Sequence, residues 1–148
     1  MVIIGAAFAG THFTRNYTPS LPLGIYWLRQ SLPVVRGEIV DLEIPPDARV
    51  LIAGRYLPPG FHLLKRVVAL SGDLVCFSDG RYRVDGMPIS TIARHDSLGR
   101  PLPVFDFCGA VAPGTAFVAT SAPSSLDSRY FGPVPLSALT VARPLWTF

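Results

Sequence analysis

The sequence of 148 residues predicts a mainly β domain of short, largely antiparallel strands with one or two short helices. Its 15 prolines and 13 glycines are unsuited to helix interiors. Several short stretches alternate apolar and polar residues, and turn sequences separate them at close intervals. Because 49% of the residues are hydrophobic and only 16% are charged, intrinsic disorder is excluded.

Residues 1–13 are apolar and precede a polar, proline-rich loop over residues 14–24. The apolar run is about half of the roughly 20 residues that a membrane-spanning helix needs. Two interpretations of residues 1–13 stay open: a first strand, or the end of an N-terminal membrane anchor. We expect residues 14–148 to form one domain.

The remaining elements follow from periodicity and turn residues. A proline pair favours a short helix over residues 47–56. Residues 93–114 carry loop-forming sequence, and residues 78–80 are typical of a hairpin turn. We predict strands over residues 25–29, 37–44, 62–70, 74–77, 81–84, 115–120 and 139–145.

The basic residues consist of arginines and a single lysine, Lys65. The net charge of +3 is small and the arginines are scattered, so the sequence does not predict a nucleic-acid partner. The three histidines lack metal-ligand spacing and no Cys-x-x-Cys occurs, so we expect no metal or other cofactor.

Lys65 lies inside the apolar strand predicted over residues 62–70, on the face that strand parity assigns to Leu63, Val67 and Ala69. Burial there disfavours the ammonium form, so the pKa of Lys65 should fall toward neutrality, as a general base requires. The alternative is a lysine that reaches solvent at the strand edge.

A lysine base requires a hydroxyl nucleophile, and Ser20 is the best-placed candidate. Pro19 and Pro22 stiffen the loop around it, and Gly24 permits close backbone approach. The alternative is an ordinary turn serine.

A third polar cluster lies near the end of the chain. Asp127 and Arg129 are two residues apart and can form an ion pair, and the Ser125 hydroxyl can orient a nearby amine. The alternative is a polar loop with an ion pair and no catalytic role. Cys76 and Cys108 permit one disulfide or two free thiols.

Together these segments resemble bacterial type I signal peptidases. Residues 65–73 (KRVVALSGD) resemble the family's Lys-Arg-Val-x-Gly-x-Pro-Gly-Asp motif, with alanine for glycine and serine for proline. Residues 125–135 (SLDSRYFGPVP) resemble its Ser-x-Asp-Ser-Arg-Tyr-x-Gly-x-Val-Pro motif. The nucleophile motif is one residue shorter than the family's Ser-Met-x-Pro. Residues 16–26 are instead similar to the conjugative-transfer branch, the TraF-type peptidases that mature pilin precursors.

The resemblance implies a signal-peptidase/LexA-like β fold and a serine–lysine endopeptidase over residues 14–148. Ser20 attacks the scissile carbonyl, and Lys65 takes its proton and returns it to the leaving amine. The Ser20 backbone N–H and the Thr18 hydroxyl form the oxyanion hole.

The resemblance also assigns supporting roles. Ser125 orients the Lys65 amine, and the pair Asp127–Arg129 braces that wall of the site. The substrate is an exported precursor with small residues before the cleaved bond, and pilin subunits are the main candidates.

The family's location implies the bacterial inner membrane, with the catalytic domain on the periplasmic side and residues 1–13 as the end of an anchor. An oxidising compartment favours a Cys76–Cys108 disulfide. A bilayer surface is an expected partner, with Tyr26, Trp27 and Trp146 either at that interface or packed in the core. Two other hypotheses stay open: a non-catalytic β-rich assembly protein of a conjugation or secretion machine, and a self-cleaving repressor-type Ser/Lys protease.

Overall fold

A computed structural model describes residues 12–44 and 61–148 of the chain. These residues form eleven strands, one four-residue α-helix and a short 3-10 helix over Leu136–Ala138. The elements in chain order are β1 (Phe13–Asn16), β2 (Gly24–Arg29), β3 (Ile39–Glu43), β4 (His62–Leu70), β5 (Leu74–Ser78), β6 (Arg81–Val84), β7 (Met87–Thr91), β8 (Cys108–Ala110), β9 (Thr115–Ala119), α1 (Ser128–Phe131), β10 (Val134–Pro135) and β11 (Leu139–Thr147).

The strands form two sheets in which all described pairings are antiparallel. The first sheet has the order β1-β2-β11-β3-β4-β9-β10, and the second has the order β7-β6-β5-β8. This architecture confirms the mainly β fold with short antiparallel strands. In the described part of the chain, no helix is long and apolar enough to cross a membrane.

The sequence located the central strands and missed strands at the sheet edges. The predictions for residues 62–70 and 81–84 are confirmed residue for residue. The loop predictions for residues 14–24 and 93–114 are wrong in part, because they contain β1 and β8, and β7 was not predicted. These three strands are edge strands with mostly exposed residues, so they lack apolar alternation. The predicted helix over residues 47–56 lies outside the described residues, as do residues 1–11.

Strand β4 contributes to two core clusters because its register shifts between Val67 and Ala69. Val67 packs with Val40 and other residues of the first sheet. Ala69 instead packs with Tyr82 and other residues of the second sheet. The prediction that Ala69 shares the face of Lys65 is therefore wrong, since a bulge changes the alternation of side chains along a strand.

A disulfide joins Cys76 of β5 to Cys108 of β8, and the two residues lie directly opposite each other in the second sheet. It ties the three-residue edge strand β8 to the central strand β5. Phe105 and Phe107, just before β8, pack against the core cluster of the second sheet.

Candidate active site

Ser20 lies in the loop of residues 17–23 that connects β1 to β2, here called the Ser20 loop. The loop is anchored at its end against β11. At Gly24 a side-chain Cβ would lie 2.1 Å from the backbone oxygen of Trp146, so only glycine permits this approach. The Phe148 N–H donates to the Leu23 carbonyl at 3.0 Å.

Asn16, the buried last residue of β1, organises the Ser20 loop. Its Nδ2 donates to the carbonyl oxygens of Thr18, Leu21 and Pro22 at 2.9, 2.9 and 3.1 Å. The Tyr26 hydroxyl also donates to the Pro22 carbonyl, at 2.7 Å. One amide group therefore holds the loop on both sides of the serine. The sequence analysis missed this role, although a buried asparagine before a turn commonly bonds to nearby backbone.

The Thr18 hydroxyl lies between Asn16 and Ser20. Its Oγ1 is 3.1 Å from Asn16 Oδ1 and 3.5 Å from Ser20 Oγ. Because an amide oxygen can only accept, the Thr18 hydroxyl donates to Asn16 and presents a lone pair to Ser20. To donate a hydrogen bond to an oxyanion, the Thr18 hydroxyl has to rotate away from Asn16.

Lys65 is buried in β4, with 3% of its surface exposed, opposite Val40 of β3. Burial lowers the pKa of Lys65 to about 8, because desolvation disfavours the ammonium form. The nearby carboxylate of Asp127 raises the pKa in part, and the Arg129 guanidinium lowers it. Lys65 Nζ donates to Ser125 Oγ at 2.6 Å.

Ser20 and Lys65 are not hydrogen-bonded to each other in the described structure. Within it, Nζ of the lysine bonds to Ser125 and the Ser20 hydroxyl bonds to Thr18. Ser20 nevertheless lines a cleft of about 640 Å³ together with Arg66, the residue after the lysine. Catalytic hydrogen bonds are often loose before substrate binds.

Asp127 and Arg129 form a fully buried, bidentate ion pair. Arg129 Nε and Nη2 donate to the two carboxylate oxygens at 2.8 and 2.7 Å. The guanidinium also donates to the carbonyls of Thr91 at 2.9 Å and Ala122 at 2.7 Å, and to that of Ser125 at 3.3 Å. The pair therefore fixes residues 120–127, here called the Ser125 segment, against β7.

Two tyrosines that the sequence analysis did not single out hold the same region. The Tyr82 hydroxyl donates to the Arg129 carbonyl at 3.2 Å. The Tyr130 hydroxyl donates to the Pro123 carbonyl and accepts the Ala93 N–H. Their partners are 7 to 47 residues away in sequence, so no local pattern indicates these bonds.

The histidine nearest in sequence to Lys65 contacts a carboxylate of β3. His62 bonds through Nδ1 to Asp41 at 2.5 Å. Residues 12–44 and 61–148 contain no group of three or more histidine, cysteine, aspartate or glutamate side chains arranged to hold a metal ion.

Comparison with known proteins places this chain in a family. The model of the family "Signal peptidase, peptidase S26" matches residues 1–146. The chain belongs to this signal peptidase family. Its membership agrees with the resemblance of residues 65–73 and 125–135.

Relatives of this chain include proteins that are named for plasmid or conjugal transfer. The plasmid transfer protein TraF of Escherichia coli is 37% identical over 164 aligned residues, covering 100% of this chain and 90% of that protein. The conjugal transfer protein TraF of Agrobacterium fabrum is 39% identical over 163 residues, covering 100% of this chain and 91% of that protein. A crystal structure of a signal peptidase I from Enterococcus faecalis aligns with a TM-score of 0.45 and 22% identity, covering 74% of this chain and 97% of that one.

The candidate site thus consists of two hydrogen-bonded groups beside β4. One group joins Lys65 to the Ser125 segment, and the Asp127–Arg129 pair braces that segment. The other group joins Asn16 and Thr18 to Ser20. The cleft next to Ser20 is also lined by Thr120 and Ser121 of the Ser125 segment, whereas Lys65 and Ser125 are not among its lining residues.

Proposed function

We propose that this signal peptidase is a serine endopeptidase in which Ser20 is the nucleophile and Lys65 is the general base. The supporting observation is the environment of the lysine. It is buried, it bonds to a serine hydroxyl rather than to a carboxylate, and its pKa is lowered to about 8. A neutral amine accepts a proton near physiological pH, whereas an arginine at the same position stays charged.

In this mechanism Ser20 Oγ attacks the carbonyl carbon of the scissile bond and its proton passes to Lys65 Nζ. The resulting oxyanion accepts hydrogen bonds from the Ser20 N–H and from the rotated Thr18 hydroxyl. The C–N bond then breaks, and the Lys65 ammonium donates its proton to the leaving amine. A water molecule activated by the neutral lysine hydrolyses the acyl-enzyme.

The unpaired edge of β4 is an observation in favour of a peptide substrate. Strand β9 pairs with β4 only from Arg66 to Leu70, so no described strand covers that edge over the residues before Arg66. An extended segment can add to such an edge as an extra strand. Leu21 of the Ser20 loop packs with Leu64 of β4 in a buried apolar cluster, which holds the loop beside that strand.

We propose exported precursors as substrates, with pilin subunits of a conjugative transfer system as the main candidates. The support is that relatives similar over the whole chain are named plasmid and conjugal transfer proteins. A non-catalytic assembly role fits the site less well, because a buried amine is costly and an assembly protein has no use for it. No described feature favours a self-cleaving repressor.

The rate of precursor cleavage tests this proposal through its pH dependence. We expect kcat/KM to rise about tenfold per pH unit below a pH of about 8 and to level off above it, because only neutral Lys65 accepts a proton. A lysine with an ordinary pKa would place the rise near 10.5. Circular dichroism across the same range checks that the fold is retained. A rate that does not change across pH 8 would exclude Lys65 as the base.

We also propose that the domain works at the periplasmic surface of the inner membrane. The end of the first sheet next to the Ser20 loop exposes large apolar side chains: Phe13, Trp27, Leu145, Trp146 and Phe148. Arg29 stacks over Trp27 at 4.3 Å and Arg15 over Tyr17 at 4.8 Å. Aromatic rings beside arginines suit the headgroup region of an anionic bilayer.

The Cys76–Cys108 disulfide agrees with an oxidising compartment. Tyr26, by contrast, is fully buried, which agrees with the alternative of core packing.

Intrinsic fluorescence tests the membrane surface directly, because Trp27 and Trp146 are the chain's two tryptophans and both are exposed. Vesicles of phosphatidylglycerol and phosphatidylethanolamine should shift the emission to shorter wavelength as the rings enter an apolar region. Trp27→Phe and Trp146→Phe then assign the shift to each position. An emission spectrum unaffected by anionic vesicles would remove the bilayer as a partner of this surface.

A further inference from the structure

The cleft at Ser20 contains polar side chains that the proposed mechanism does not use. Besides the Ser20 loop, its walls include Arg66 of β4 and the first residues after β9, Thr120 and Ser121. Val68, Ile89 and Ala119 supply apolar surface. Apart from Ser20, the cleft thus combines the guanidinium of Arg66 and the hydroxyl-bearing residues Thr120 and Ser121 with an otherwise apolar wall.

The Thr120 hydroxyl is an unsatisfied group at this wall. Thr120 is 5% exposed, and its Oγ1 has no hydrogen-bond partner, unlike every other buried side-chain N or O atom of the described residues. Its backbone N–H, in contrast, donates to Asp127 at 3.2 Å. A buried hydroxyl without a partner is costly, and rotation of the Thr120 side chain toward the cleft would let it bond to an entering group.

Arg66 carries a charge that no described carboxylate neutralises. Its Nη1 donates to the Gly37 carbonyl at 2.7 Å, and the described ion pairs do not include it. Arg129 and Arg143, by contrast, each pair with a carboxylate. A guanidinium has five N–H donors in a planar fork, so most of its donors remain available to a ligand.

We propose that this cleft binds a carboxylate of the substrate, and that Arg66 and Thr120 are specificity-determining residues. The inference rests on the proposed peptidase function and names part of its substrate. The residues before the cleaved bond are assigned to the unpaired edge of β4, which ends at Arg66, where β9 begins to pair. The polar cleft therefore receives the segment after that bond, which departs as the leaving peptide. Both an acidic side chain and a free chain terminus supply a carboxylate there.

Matched fluorogenic peptides test this proposal. All have alanine one and three residues before the cleaved bond. One pair has Glu or Gln two residues after the bond with an amidated end, and a second pair has a neutral leaving segment with a free or amidated end. We expect kcat/KM to be about tenfold or more higher for the charged member of one or both pairs. The pair that responds identifies the source of the carboxylate. The ratio should fall as salt screens the exposed guanidinium.

The variants assign the effect to the cleft. In Arg66→Gln the charged-to-neutral ratio should fall to about one, and in Thr120→Val it should fall severalfold. Arg81→Gln is the matched control, because it removes the same charge from an exposed position of β6. Equal kcat/KM within both pairs, or a preference that Arg66→Gln leaves intact, would overturn the proposal.

Binding to Ser20→Ala separates this inference from the proposed activity. Fluorescence anisotropy with the same peptides, labelled, requires no cleavage. Tighter binding of charged peptides that Arg66→Gln abolishes supports the carboxylate site even if the wild-type protein cleaves none of them. Cleavage without any charge preference supports the peptidase and rejects the carboxylate site.

Discussion

Ser20→Ala and Lys65→Met are each expected to reduce cleavage of a pilin precursor by about a thousandfold or more. Alanine removes the attacking oxygen. Methionine keeps a similar side-chain volume in β4 but has no nitrogen to accept the serine proton. The measurement is single-turnover cleavage at pH 8.5, where about half or more of the wild-type lysine is neutral, given its pKa of about 8.

The stability of the same variants separates catalysis from folding. Lys65→Met removes an amine that is costly to bury, so the free energy of unfolding should stay equal or increase. Lys65→Arg keeps a cation, yet it should also be inactive, because arginine stays protonated. Ser137→Ala, at an exposed position far from the Ser20 loop in sequence, is the matched control for Ser20. Normal turnover by Lys65→Met would rule out the lysine base.

Strand alternation gives Lys65 and Arg66, which are adjacent in β4, opposite roles. Lys65 faces the interior beside Val40 and its pKa is lowered by burial. Arg66 faces the cleft and remains exposed. Because successive side chains of a strand point to opposite faces, one segment supplies both a deprotonatable base and a permanent charge. The charge of Arg66 does not shift the pKa of Lys65, because solvent screens it at the strand surface.

The sequence predicted the parts of the site that depend on local pattern. A single lysine within an apolar run gave burial of Lys65 as one of two interpretations, and the structure selects it; the spacing of Asp127 and Arg129 permitted the ion pair that they form. The roles of Asn16 and Thr120 were not predictable in this way. Asn16 bonds to backbone carbonyls that come near it only when the Ser20 loop has folded. Thr120 matters because the fold leaves its hydroxyl without a partner beside a cleft.

The same limit applies to the fold. The central strand β4 is apolar on both faces, so its bounds were predicted correctly. Edge strands such as β1 and β7 pair on one side only and expose most of their side chains, so composition does not distinguish them from loops. The bulge after Val67 also changes which face of the sheet the later side chains of β4 point to, and strict alternation does not predict this change.

Asp127→Ala is expected to lower the free energy of unfolding by about 3–5 kcal/mol, which corresponds to a fall in Tm of roughly 10–20 °C. Arg129 is fully buried and donates two of its hydrogen bonds to the Asp127 carboxylate. Without that carboxylate a charged guanidinium remains in the interior with only carbonyl partners. Thermal and urea unfolding measure the loss, and Glu38→Ala, which breaks the exposed pair with Arg143, is the control at about 1 kcal/mol or less.

A second substitution distinguishes an unpaired charge from a loss of packing. Adding Arg129→Met to Asp127→Ala removes the unpaired guanidinium, so the double variant should recover part of the lost stability. It should not recover activity, because Arg129 also bonds to the Ser125 carbonyl and thereby holds the residue that contacts Lys65. If the double variant is less stable than Asp127→Ala alone, the pair contributes mainly through packing and its carbonyl contacts. Recovery of stability without activity would identify the pair as the support of the Lys65–Ser125 contact.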